Sequence, residues 1–404
     1  MSDQTTTAPG PLTDLRVIEM GQLLAGPFCG QLLGDLGAEV IKLESPGQGD
    51  PMRQWGREKP HGRSLWWPVV ARNKKSVTCD LRTAAGQRLA RDLIAQSDIV
   101  VENFRPGTLE RWGLGFDMLR ADNPGLILVR VTGYGQNGPY APRAGYGSIG
   151  EAMGGIRYIT GDPGHPPART GISLGDSLAA VFATIGALAA VHHRHTSGRG
   201  QIVDSAIYEA VLAMTESLLP EWEVAGYRRE RTGAVLPNVS PSNVYPTADD
   251  EMILIAANQD SVFARLASAM EQPELATAER FATHAARGEN MTELDEIIAD
   301  WTRTRPAEAL LALLHDAGVP AGRIYTARDM FTDPHFAARD AIVRLAHPEF
   351  GALPMQNVFP RLSETPGAIS HIGPELGEHT DQVYRELLGL GTEELTRLAE
   401  QGVI

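Results

Sequence analysis

Short apolar runs alternate with helix-like segments in the first third of the chain, and this alternation constrains the fold more than any other feature. Strands are predicted at residues 16–20, 39–43, 99–102 and 126–131, and helices at residues 28–36 and 86–96. Strands that alternate with helices at this spacing form a parallel sheet with helices on its faces. We therefore predict the α/β fold class, with a Rossmann-like large domain.

The length of 404 residues predicts two domains, because a single hydrophobic core rarely grows beyond about 250–300 residues. Residues 1–220 are predicted to form the main part of the large domain, and residues 221–245, rich in Arg, Gly and Pro, a linker. Residues 246–332 predict a small α+β domain, with a strand at 252–256 and helices near 261–270, 294–301 and 306–317. The remaining segment, 333–404, has an extended middle at 340–360 and a closing helix at 381–390.

The charge balance excludes two broad classes of binding protein. The chain has 36 Lys and Arg against 50 Asp and Glu, a net charge of −14, whereas nucleic acids and anionic membranes attract positively charged proteins. Cys29 and Cys79 are the only cysteines, and the sequence has no cysteine–histidine spacing typical of a metal site. Neither a disulfide framework nor a metal site is therefore predicted.

Hydropathy along the chain bears on its location in the cell. Residues 1–12 are polar and lack the apolar core of a signal peptide. The longest apolar run, residues 178–191, is shorter than the roughly 20 residues that a membrane span requires. We therefore expect a soluble cytoplasmic enzyme with no nucleic-acid or membrane partner.

Residues 133–138 read GYGQNG, which matches the G-x-G-x-x-G pattern of dinucleotide-binding loops. In such a site the loop opens a helix whose N-terminus binds the pyrophosphate. Here Pro139 and Pro142 follow, with Gly145 and Gly147 behind them, and such closely spaced prolines and glycines favour a loop. We predict a glycine-rich active-site loop rather than a nicotinamide or flavin site.

Asp176 directly precedes a helix predicted at residues 177–193, which is apolar nearly all round and is expected to be buried. One interpretation is that Asp176 caps this helix by accepting hydrogen bonds from its first backbone N–H groups. The other is that Asp176 is a nucleophile, kept ionised by the positive end of the helix dipole. The two interpretations are compatible, and the residues alone leave both open.

His192, His193 and His195, with Arg194, lie at the other end of the same helix. A metal site would require ligands on one face with a supporting partner. Cationic residues also stabilise the negative end of a helix dipole, and Gly198 is placed to end the helix. We favour the structural interpretation.

Several basic residues stand out in this acidic chain. Each is predicted near the carboxyl end of a strand or in the loop that follows, where α/β sheets bind ligands. A ligand with several phosphates would need several such residues, although scattered surface arginines are the simpler alternative. The residues are Arg72, Lys74, Lys75, Arg105, Arg111 and Arg143.

Long motifs in a constant order resemble family III CoA-transferases, the group that contains formyl-CoA transferase and carnitine CoA-transferase. The first is LTDLRVIEMGQLLAGPFCGQLLGDLGAEVIKLESPGQGDPMRQWG, followed by ARNKKSVTCDL, VENFRPGTLERWGLG, VTGYGQNGPYAPRAGYGS and RTGISLGDSLAA. The later ones are HTSGRGQIVDSAIYEA, AGVPAGRIYTARDMFTDPHFAARD and GEHTDQVYRELLGLGTEELTRLAEQGVI. The resemblance covers almost the whole chain and is loose only near residues 221–242.

The resemblance implies that Asp176, in the matching L-G-D context, is the nucleophile. By the family's mechanism its carboxylate attacks an acyl-CoA thioester, and CoA passes to an acceptor acid through mixed anhydrides and an aspartyl-CoA thioester. CoA is thus a substrate, and no metal, redox cofactor or prosthetic group is implied. Arg105 and Arg111 would face phosphates. The full set of implied CoA contacts is Leu24, Ala25, Cys79, Asp80, Leu81, Arg82, Asn103, Phe104, Arg105, Arg111, Arg143, Ala144, Gly145 and Tyr146.

The sequence departs from formyl-CoA transferase at three places. A CoA-contacting arginine of that enzyme corresponds to Ser45, and a lysine corresponds to Ala144, with Arg143 adjacent as a substitute. The GGGGQ segment that shields the formyl-CoA transferase site has no counterpart, and residues 256–259 lie nearest to its place.

Two alternative functions are weighed against the transferase. α-Methylacyl-CoA racemase resembles this family in fold and uses a histidine in an A-G-H context, where this chain has Ala144-Gly145-Tyr146. A tyrosine, with a pKa of about 10, is a poor base at neutral pH, which favours the transferase. A non-catalytic acyl-CoA-binding protein is the other alternative, and an ionisable Asp176 at the loop–helix junction argues against it.

The resemblance also implies an assembly and a substrate class. The family forms interlocked, ring-like homodimers in which residues 333–404 would return to the large domain. The active site would lie between the large domain of one subunit and the small domain of its partner. The substrates would be an acyl-CoA donor and a small carboxylic acid. The pattern G-Y-G-Q-x-G-P and R-A-G-Y resembles the branch that acts on dicarboxylates such as succinate, glutarate, citramalate and mesaconate.

Overall fold

The computed structural model describes residues 10–404. Residues 1–9, part of the polar stretch in which the sequence predicts no signal peptide, lie outside the described residues. The strands are β1 (Arg16–Glu19), β2 (Glu39–Glu44), β3 (Lys74–Thr78), β4 (Ile99–Glu102), β5 (Ile127–Thr132), β6 (Ile202–Ala206), β7 (Ser242–Pro246), β8 (Met252–Ala256), β9 (Ala321–Arg323), β10 (Ile342–His347) and β11 (Gly351–Gln356).

The helices of the same residues are mostly short. They are α1 (Ala25–Asp35), α2 (Trp67–Val70), α3 (Ala84–Ala95), α4 (Thr108–Arg111), α5 (Phe116–Asp122), α6 (Gly147–Met153), α7 (Ile156–Ile159), α8 (Leu174–Ser197), α9 (Ile207–Leu212), α10 (Leu218–Ala225), α11 (Asp260–Ala269), α12 (His284–Glu289), α13 (Met291–Thr302), α14 (Ala307–Asp316), α15 (Ala327–Thr332), α16 (Pro334–Ala338), α17 (Thr380–Leu388) and α18 (Thr392–Glu400). Short 3₁₀ turns lie at Pro51–Gln54, Pro60–Gly62 and Pro273–Ala276.

The chain divides into two compact units. The first contains the chain up to Arg157, then Thr170–Leu219 and Asp340–Ile404. The second contains Tyr158–Arg169 and Pro220–Arg339. The chain therefore leaves the first unit and returns to it.

The first unit is built on a six-stranded sheet in the order β3-β2-β1-β4-β5-β6. All five neighbouring pairs are parallel, with Ile18 of β1 opposite Ile41 of β2 and Val100 of β4. This is the strand order of doubly wound dinucleotide-binding folds, so the predicted α/β class and parallel sheet are confirmed. The sequence analysis missed β3 and β6, because lysines and an aspartate interrupt their apolar character.

Neighbouring residues of each strand point to opposite faces of the sheet, and each face carries its own core. Val17 packs in a core with the apolar side of α1 and with the alanines of α8. Ile18 packs in a second core with α3 and with Tyr384 and Leu398 of the carboxyl-terminal helices. Nearly continuous apolar strands are required because both faces are covered.

Local sequence explains the ends of the long helices. Helix α1 begins three residues before the predicted start, and Pro27 lies in its first turn, where proline is tolerated. The Thr83 side chain caps α3 by accepting a hydrogen bond from the Gly86 N–H at 3.0 Å. Helix α8 ends at Ser197 and is capped by Gly198, whose φ of 69° is readily adopted only by glycine, so the predicted role of Gly198 in ending this helix is confirmed.

Helix α8 is longer than predicted and is not buried all round. Its alanines face α1 and the sheet, whereas Val181, Phe182 and Ile185 are exposed in the single chain. By length and composition alone, its 24 residues would suffice to cross a membrane, although only the run 178–191 is uninterrupted. A helix buried in the core of a soluble protein can have the same length and composition.

The second unit contains the antiparallel sheet β7-β8-β9 and helices α11 to α14. Its core includes Tyr245, Ile253, Phe263, Ile298 and Leu310. Residues 221–245, predicted to be a linker, belong to this unit and include the end of α10 and most of β7.

The segment 340–404 belongs to the first unit. Its predicted extended middle is a hairpin of β10 and β11, and its predicted closing helix is α17. Helix α18, which the sequence analysis missed, follows it. Tyr384 of α17 is buried and donates a hydrogen bond to the Thr78 carbonyl at 3.0 Å, so this segment covers the end of β3.

Candidate active site

A cavity of about 340 Å³ lies in the first unit at the carboxyl edge of the parallel sheet. Its walls come from the loops that follow β1, β4 and β5 and from the start of α8. Strand order reverses between β1 and β4, and α/β sheets bind ligands at this switch point. The lining residues are Gln22, Leu23, Leu24, Ala25, Trp55, Asn103, Phe104, Arg105, Val131, Thr132, Gly133, Ala144, Gly145, Tyr146, Ser173, Asp176 and Ile207.

The loops after β1 and β4 are joined by one amide side chain. Oδ1 of Asn103 accepts a hydrogen bond from the Gln22 N–H, and Nδ2 of Asn103 donates to the Gln22 carbonyl, each at 2.8 Å. The Asn103 side-chain amide therefore bonds to both the N–H and the carbonyl of Gln22, as the backbone of a neighbouring strand would. This fixes the position of Leu24 and Ala25 relative to Phe104 and Arg105.

Asp176 lies in the first turn of α8 and lines the cavity. The helix begins at Leu174, with Ser173 at the N-cap position, so the interpretation of Asp176 as the cap is wrong. The carboxylate is nevertheless near the positive end of the dipole of a 24-residue helix. Sequence reasoning placed the helix start too late because Gly175 has a low intrinsic preference for helices.

Glycine and a buried carboxylate shape the surroundings of Asp176. An ideal Cβ on Gly147, at the start of α6, would lie 2.1 Å from Oδ2 of Asp176. Glu151 of α6 is buried, accepts a hydrogen bond from the Gly175 N–H at 3.3 Å and pairs with Arg157 at 2.7 Å. Helix α6 thus holds the first turn of α8 from one side, and only a hydrogen atom of Gly147 fits against the Asp176 carboxylate.

The three arginines predicted to contact CoA phosphates or to replace a CoA-binding lysine differ in whether they line the cavity. Arg105 lines the cavity, and in the described part of the chain no other lysine or arginine does. Arg111 lies in α4 and donates to Oγ1 of Thr108 at 2.9 Å, while the Arg143 guanidinium lies 3.6 Å from the centre of the Tyr140 ring. Neither lines the cavity.

The expectation that Arg72, Lys74 and Lys75 lie at the ligand-binding edge is wrong. Lys74 begins β3 and Arg72 precedes it, so they are at the amino end of the strand. Arg72 is buried against Asp35 at 2.6 Å, Lys74 against Glu19 at 2.8 Å, and Lys75 pairs with Glu39 at 2.6 Å. The error arose because β3 was not predicted.

Residues Cys79–Arg82 follow β3 at the same edge of the sheet but do not line the cavity. Cys79 is buried, its thiol donates to the Gly86 carbonyl, and burial raises its pKa to about 12. Asp80 pairs with Arg82 at 2.8 Å, which holds the pKa of Asp80 below its ordinary value, and Leu81 is buried. Within this stretch the Arg82 side chain is the most exposed.

Tyr146, Ala144 and Gly145 line the cavity, and the Tyr146 side chain is exposed. They end the loop after β5, which carries the 133–138 glycine pattern. No helix of the described chain intervenes between β5 and α6, so the prediction of a loop is confirmed. The sequence analysis missed Gln22, Leu23, Trp55 and Ile207; the first two follow a predicted strand, which was an available signal.

Among residues 10–404, no group of three or more His, Cys, Asp or Glu side chains is placed to hold a metal ion. Arg194, within the histidine cluster, pairs with Asp98 at 2.8 Å. These histidines therefore stand at the capped end of α8, away from the cavity-forming loops.

A sequence model of CoA-transferase family III matches residues 12–380. The chain belongs to this family. The family assignment made from the motifs is thereby confirmed, and the cavity with Asp176 is the candidate active site of a family III CoA-transferase.

Characterised relatives of this CoA-transferase match along almost its whole length. It is 60% identical over 396 residues to succinyl-CoA–D-citramalate CoA-transferase of Chloroflexus aurantiacus, covering 98% of both chains. It is 42% identical to the alpha subunit of succinyl-CoA–L-malate CoA-transferase of the same species, covering 98% of this chain and 92% of that one. These matches favour the transferase over the racemase and over a non-catalytic binding protein.

A solved structure has the same fold. The CAIB/BAIF family protein of Brucella suis is 36% identical, with a TM-score of 0.83 over 94% of this chain and 100% of that chain. Its similarity extends beyond the sheet to the rest of the two units.

Proposed function

We propose that this CoA-transferase moves CoA reversibly from succinyl-CoA to a short dicarboxylic acid, with citramalate the first candidate and malate the second. The observation that carries the proposal is the position of Asp176 in a cavity formed by the loops after β1, β4 and β5. The 60% identity to a succinyl-CoA–D-citramalate CoA-transferase supports the choice of acids. Citramalate and malate are both 2-hydroxy dicarboxylic acids.

Asp176 acts as the nucleophile. Its carboxylate attacks the thioester carbon of the donor, and CoA leaves as a thiolate while a mixed anhydride forms. The thiolate then attacks the aspartyl carbonyl of this anhydride, which releases the donor acid and leaves an aspartyl-CoA thioester. The acceptor carboxylate attacks that thioester, and the returning thiolate attacks the acceptor carbonyl, so that acceptor-CoA leaves and Asp176 is a carboxylate again.

The cavity suits the thioester end of the substrate. Its volume of about 340 Å³ is at the lower end of the range for small-molecule pockets, so the nucleotide of CoA lies outside it. Arg105 binds a phosphate at the cavity wall, and Leu24, Ala25, Asn103, Phe104, Ala144, Gly145 and Tyr146 contact the pantetheine arm and the thioester. Exclusion of water protects the anhydride from hydrolysis.

The predicted contacts outside the cavity serve the nucleotide. Arg82, Arg111 and Arg143 are exposed and would meet phosphates. Cys79, Asp80 and Leu81 would take part through their backbone, because their side chains are buried or paired. Arg143 compensates for the lysine that Ala144 replaces.

The enzyme acts as an interlocked homodimer. The exposed apolar face of α8, with Val181 and Ile185 four residues apart, supports this assembly, since apolar patches of this kind mark protein interfaces. Two Chloroflexus relatives are named as alpha and beta subunits, so pairing with a second, different chain is the alternative that the experiment must distinguish.

A donor and acceptor screen tests the function. Succinyl-, acetyl- and formyl-CoA are each offered with citramalate, malate, glutarate, mesaconate, formate and oxalate, and acyl-CoA products are separated by chromatography. We expect succinyl-CoA with a dicarboxylate to give the highest kcat/KM. Faster transfer to formate or oxalate would contradict the proposed substrate class.

Light scattering of the purified chain tests the assembly. Interlocked subunits cannot separate without unfolding, so the mass should remain that of a dimer, about 87 kDa from twice 43.6 kDa, at every dilution. A folded monomer, or activity that appears only with a second chain, would contradict the interlocked homodimer.

A further inference from the structure

Leu23, in the wall of the candidate active site, has a left-handed backbone conformation with φ of 64°. This region is costly for any residue with a Cβ, and a bulky residue rarely adopts it. Such strained residues persist only when the surrounding structure holds them, and they concentrate at functional sites. Leu23 therefore requires a restraint.

Asp50 is the restraint that contacts Leu23 directly. Its Oδ1 accepts a hydrogen bond from the Leu23 N–H at 3.0 Å and another from the Met52 N–H at 2.8 Å. The Asp50 N–H donates to Oε2 of Glu44 at 2.9 Å. Glu44 thus holds the backbone of Asp50, and the Met52 N–H holds its carboxylate. The same carboxylate oxygen in turn holds the Leu23 N–H.

A buried network of charged side chains holds Asp50 in turn. Nζ of Lys42 lies 2.8 Å from both Asp50 and Glu19 and also donates to the Gly21 carbonyl. Lys74 lies 2.8 Å from Glu19 and donates to the Pro27 carbonyl. The two lysines therefore bind the backbone on both sides of the Gln22–Ala25 segment, and all four charged side chains are buried.

The buried Lys42–Asp50 pair holds both side chains in their charged forms at neutral pH. Burial by itself lowers the pKa of Lys42, but Asp50, Glu19 and Glu44 outweigh it and hold that pKa above its ordinary value. Burial by itself raises the pKa of Asp50, but Lys42 and two backbone N–H groups hold that pKa below its ordinary value. Each of the two lysines lies against a carboxylate group, as burial of ions requires.

We propose that Asp50 is a positioning residue for CoA transfer: by holding Leu23 in the left-handed conformation, it sets the Gln22–Ala25 segment in the geometry that receives acyl-CoA. The proposal rests on the proposed CoA-transfer function of the cavity. Asp50 does not itself line the cavity. It acts through the backbone of a segment that does.

A double-mutant cycle in CoA affinity tests the proposal. Without its restraint, Leu23 should leave the left-handed region most of the time, which should raise the Kd for CoA of Asp50→Ala by about tenfold. Adding Leu23→Gly should restore affinity, because glycine adopts positive φ freely. Adding Leu23→Ala removes the same side chain without that freedom and should not restore it.

Two comparisons separate positioning from general stability. Asp50→Asn keeps an oxygen acceptor for the Leu23 N–H but loses the attraction to Lys42, so it should melt earlier and still bind CoA almost normally. Asp35→Asn weakens a buried ion pair with Arg72 that does not contact this segment, so it should lower the melting temperature without a change in Kd. Equal affinities of the Gly and Ala double variants, or unchanged affinity in Asp50→Ala, would overturn the proposal.

Hydrogen exchange of the Leu23 amide provides a measurement that depends neither on turnover nor on the folding of Asp50→Ala. The amide should be protected in the wild type and in Asp50→Asn, and rapid exchange in the wild type would overturn the proposal. If the wild type binds CoA but transfers none, the proposed function fails while the affinity cycle still decides the role of Asp50. If it binds no CoA, the proposed function and the role of Asp50 in CoA binding both fail, and amide exchange then tests only whether Asp50 restrains the Leu23 backbone.

Discussion

Gly147 and Asp176 are in contact where the start of α6 meets the first turn of α8. A Cβ on Gly147 would lie 2.1 Å from Oδ2 and 2.7 Å from Cγ of Asp176, far inside van der Waals distance. The absence of a side chain at residue 147 therefore determines where the proposed nucleophile can sit.

Gly147→Ala should displace the Asp176 carboxylate and lower kcat by about a hundredfold, because a misplacement of about 1 Å can cost that much. Steady-state kinetics with succinyl-CoA measures it. Gly171→Ala is the matched control, since a Cβ there meets no heavy atom within 4 Å, and it should retain full activity. Equal activity of both variants would show that Asp176 has room to move.

Asp176→Ala and Asp176→Asn should lose transfer activity by several orders of magnitude and still bind CoA. Removal of a carboxylate from the first turn of a helix costs only about 0.3–1 kcal/mol of stability, so both variants should fold. Calorimetry for CoA binding and circular dichroism for folding are the controls. Hydroxylamine should trap the aspartyl-CoA adduct in the wild type alone, whereas substantial turnover by Asp176→Asn would refute the nucleophile.

Arg105→Ala should raise the KM for succinyl-CoA, because it removes the partner that we propose for a CoA phosphate, with little effect on a succinyl-pantetheine thioester. Arg111→Ala should act in the same direction but less strongly, since Arg111 does not line the cavity. Kinetics with both thioesters measures the difference. Equal effects on the two substrates would show that the arginines are structural.

Tyr146→Phe should retain most of the transfer activity, because the contact that we propose between Tyr146 and the thioester involves no proton exchange. Proton NMR of a 2-methylacyl-CoA in deuterated water, with the wild-type enzyme, should detect no α-deuteration. The same sample supplied with succinyl-CoA and an acceptor acid is the positive control for activity. Rapid α-deuteration without an acceptor would indicate racemase chemistry.

His347, in the β10–β11 hairpin, should make the protein less stable in acid. Burial lowers the pKa of His347, and its Nδ1 accepts hydrogen bonds from the Glu349 and Phe350 N–H groups. Because the folded pKa is below the unfolded value of about 6.5, the unfolded state binds more protons, and stability falls as pH falls below about 6.5.

Thermal melts at pH 7.5 and 5.5 measure this effect. The melting temperature should fall more in the wild type than in His347→Asn, whose side-chain oxygen can accept in place of Nδ1. His379, whose pKa is also lowered mainly by burial, is present in both proteins and cancels in the comparison. An identical pH dependence of the two proteins would exclude His347 as its source.

Much of the fold follows from local sequence. Strands β1, β2, β4 and β5 were predictable because a strand covered on both faces is a run of apolar residues. Helix α1 was predictable because it follows such a run, and α8 because its own residues are apolar nearly all round. Strand β3 escaped prediction since its lysines pair with Glu19 and Glu39, residues distant in sequence. Polar residues in a buried strand carry no local signal of their partners.

In the candidate site, too, some features were predictable from the sequence and others were not. Asp176, the glycine-rich loop and the segments after β1 and β4 were identified from the sequence by motif and by their place after strands. The contact of Gly147 with Asp176 and the hold of Asp50 on Leu23 were not, because neither has a periodicity or spacing that a pattern can register. The sequence alone determined which residue types are available at the carboxyl edge of the sheet; only the tertiary structure, by closing steric gaps and pairing buried charges, decided which of them meet.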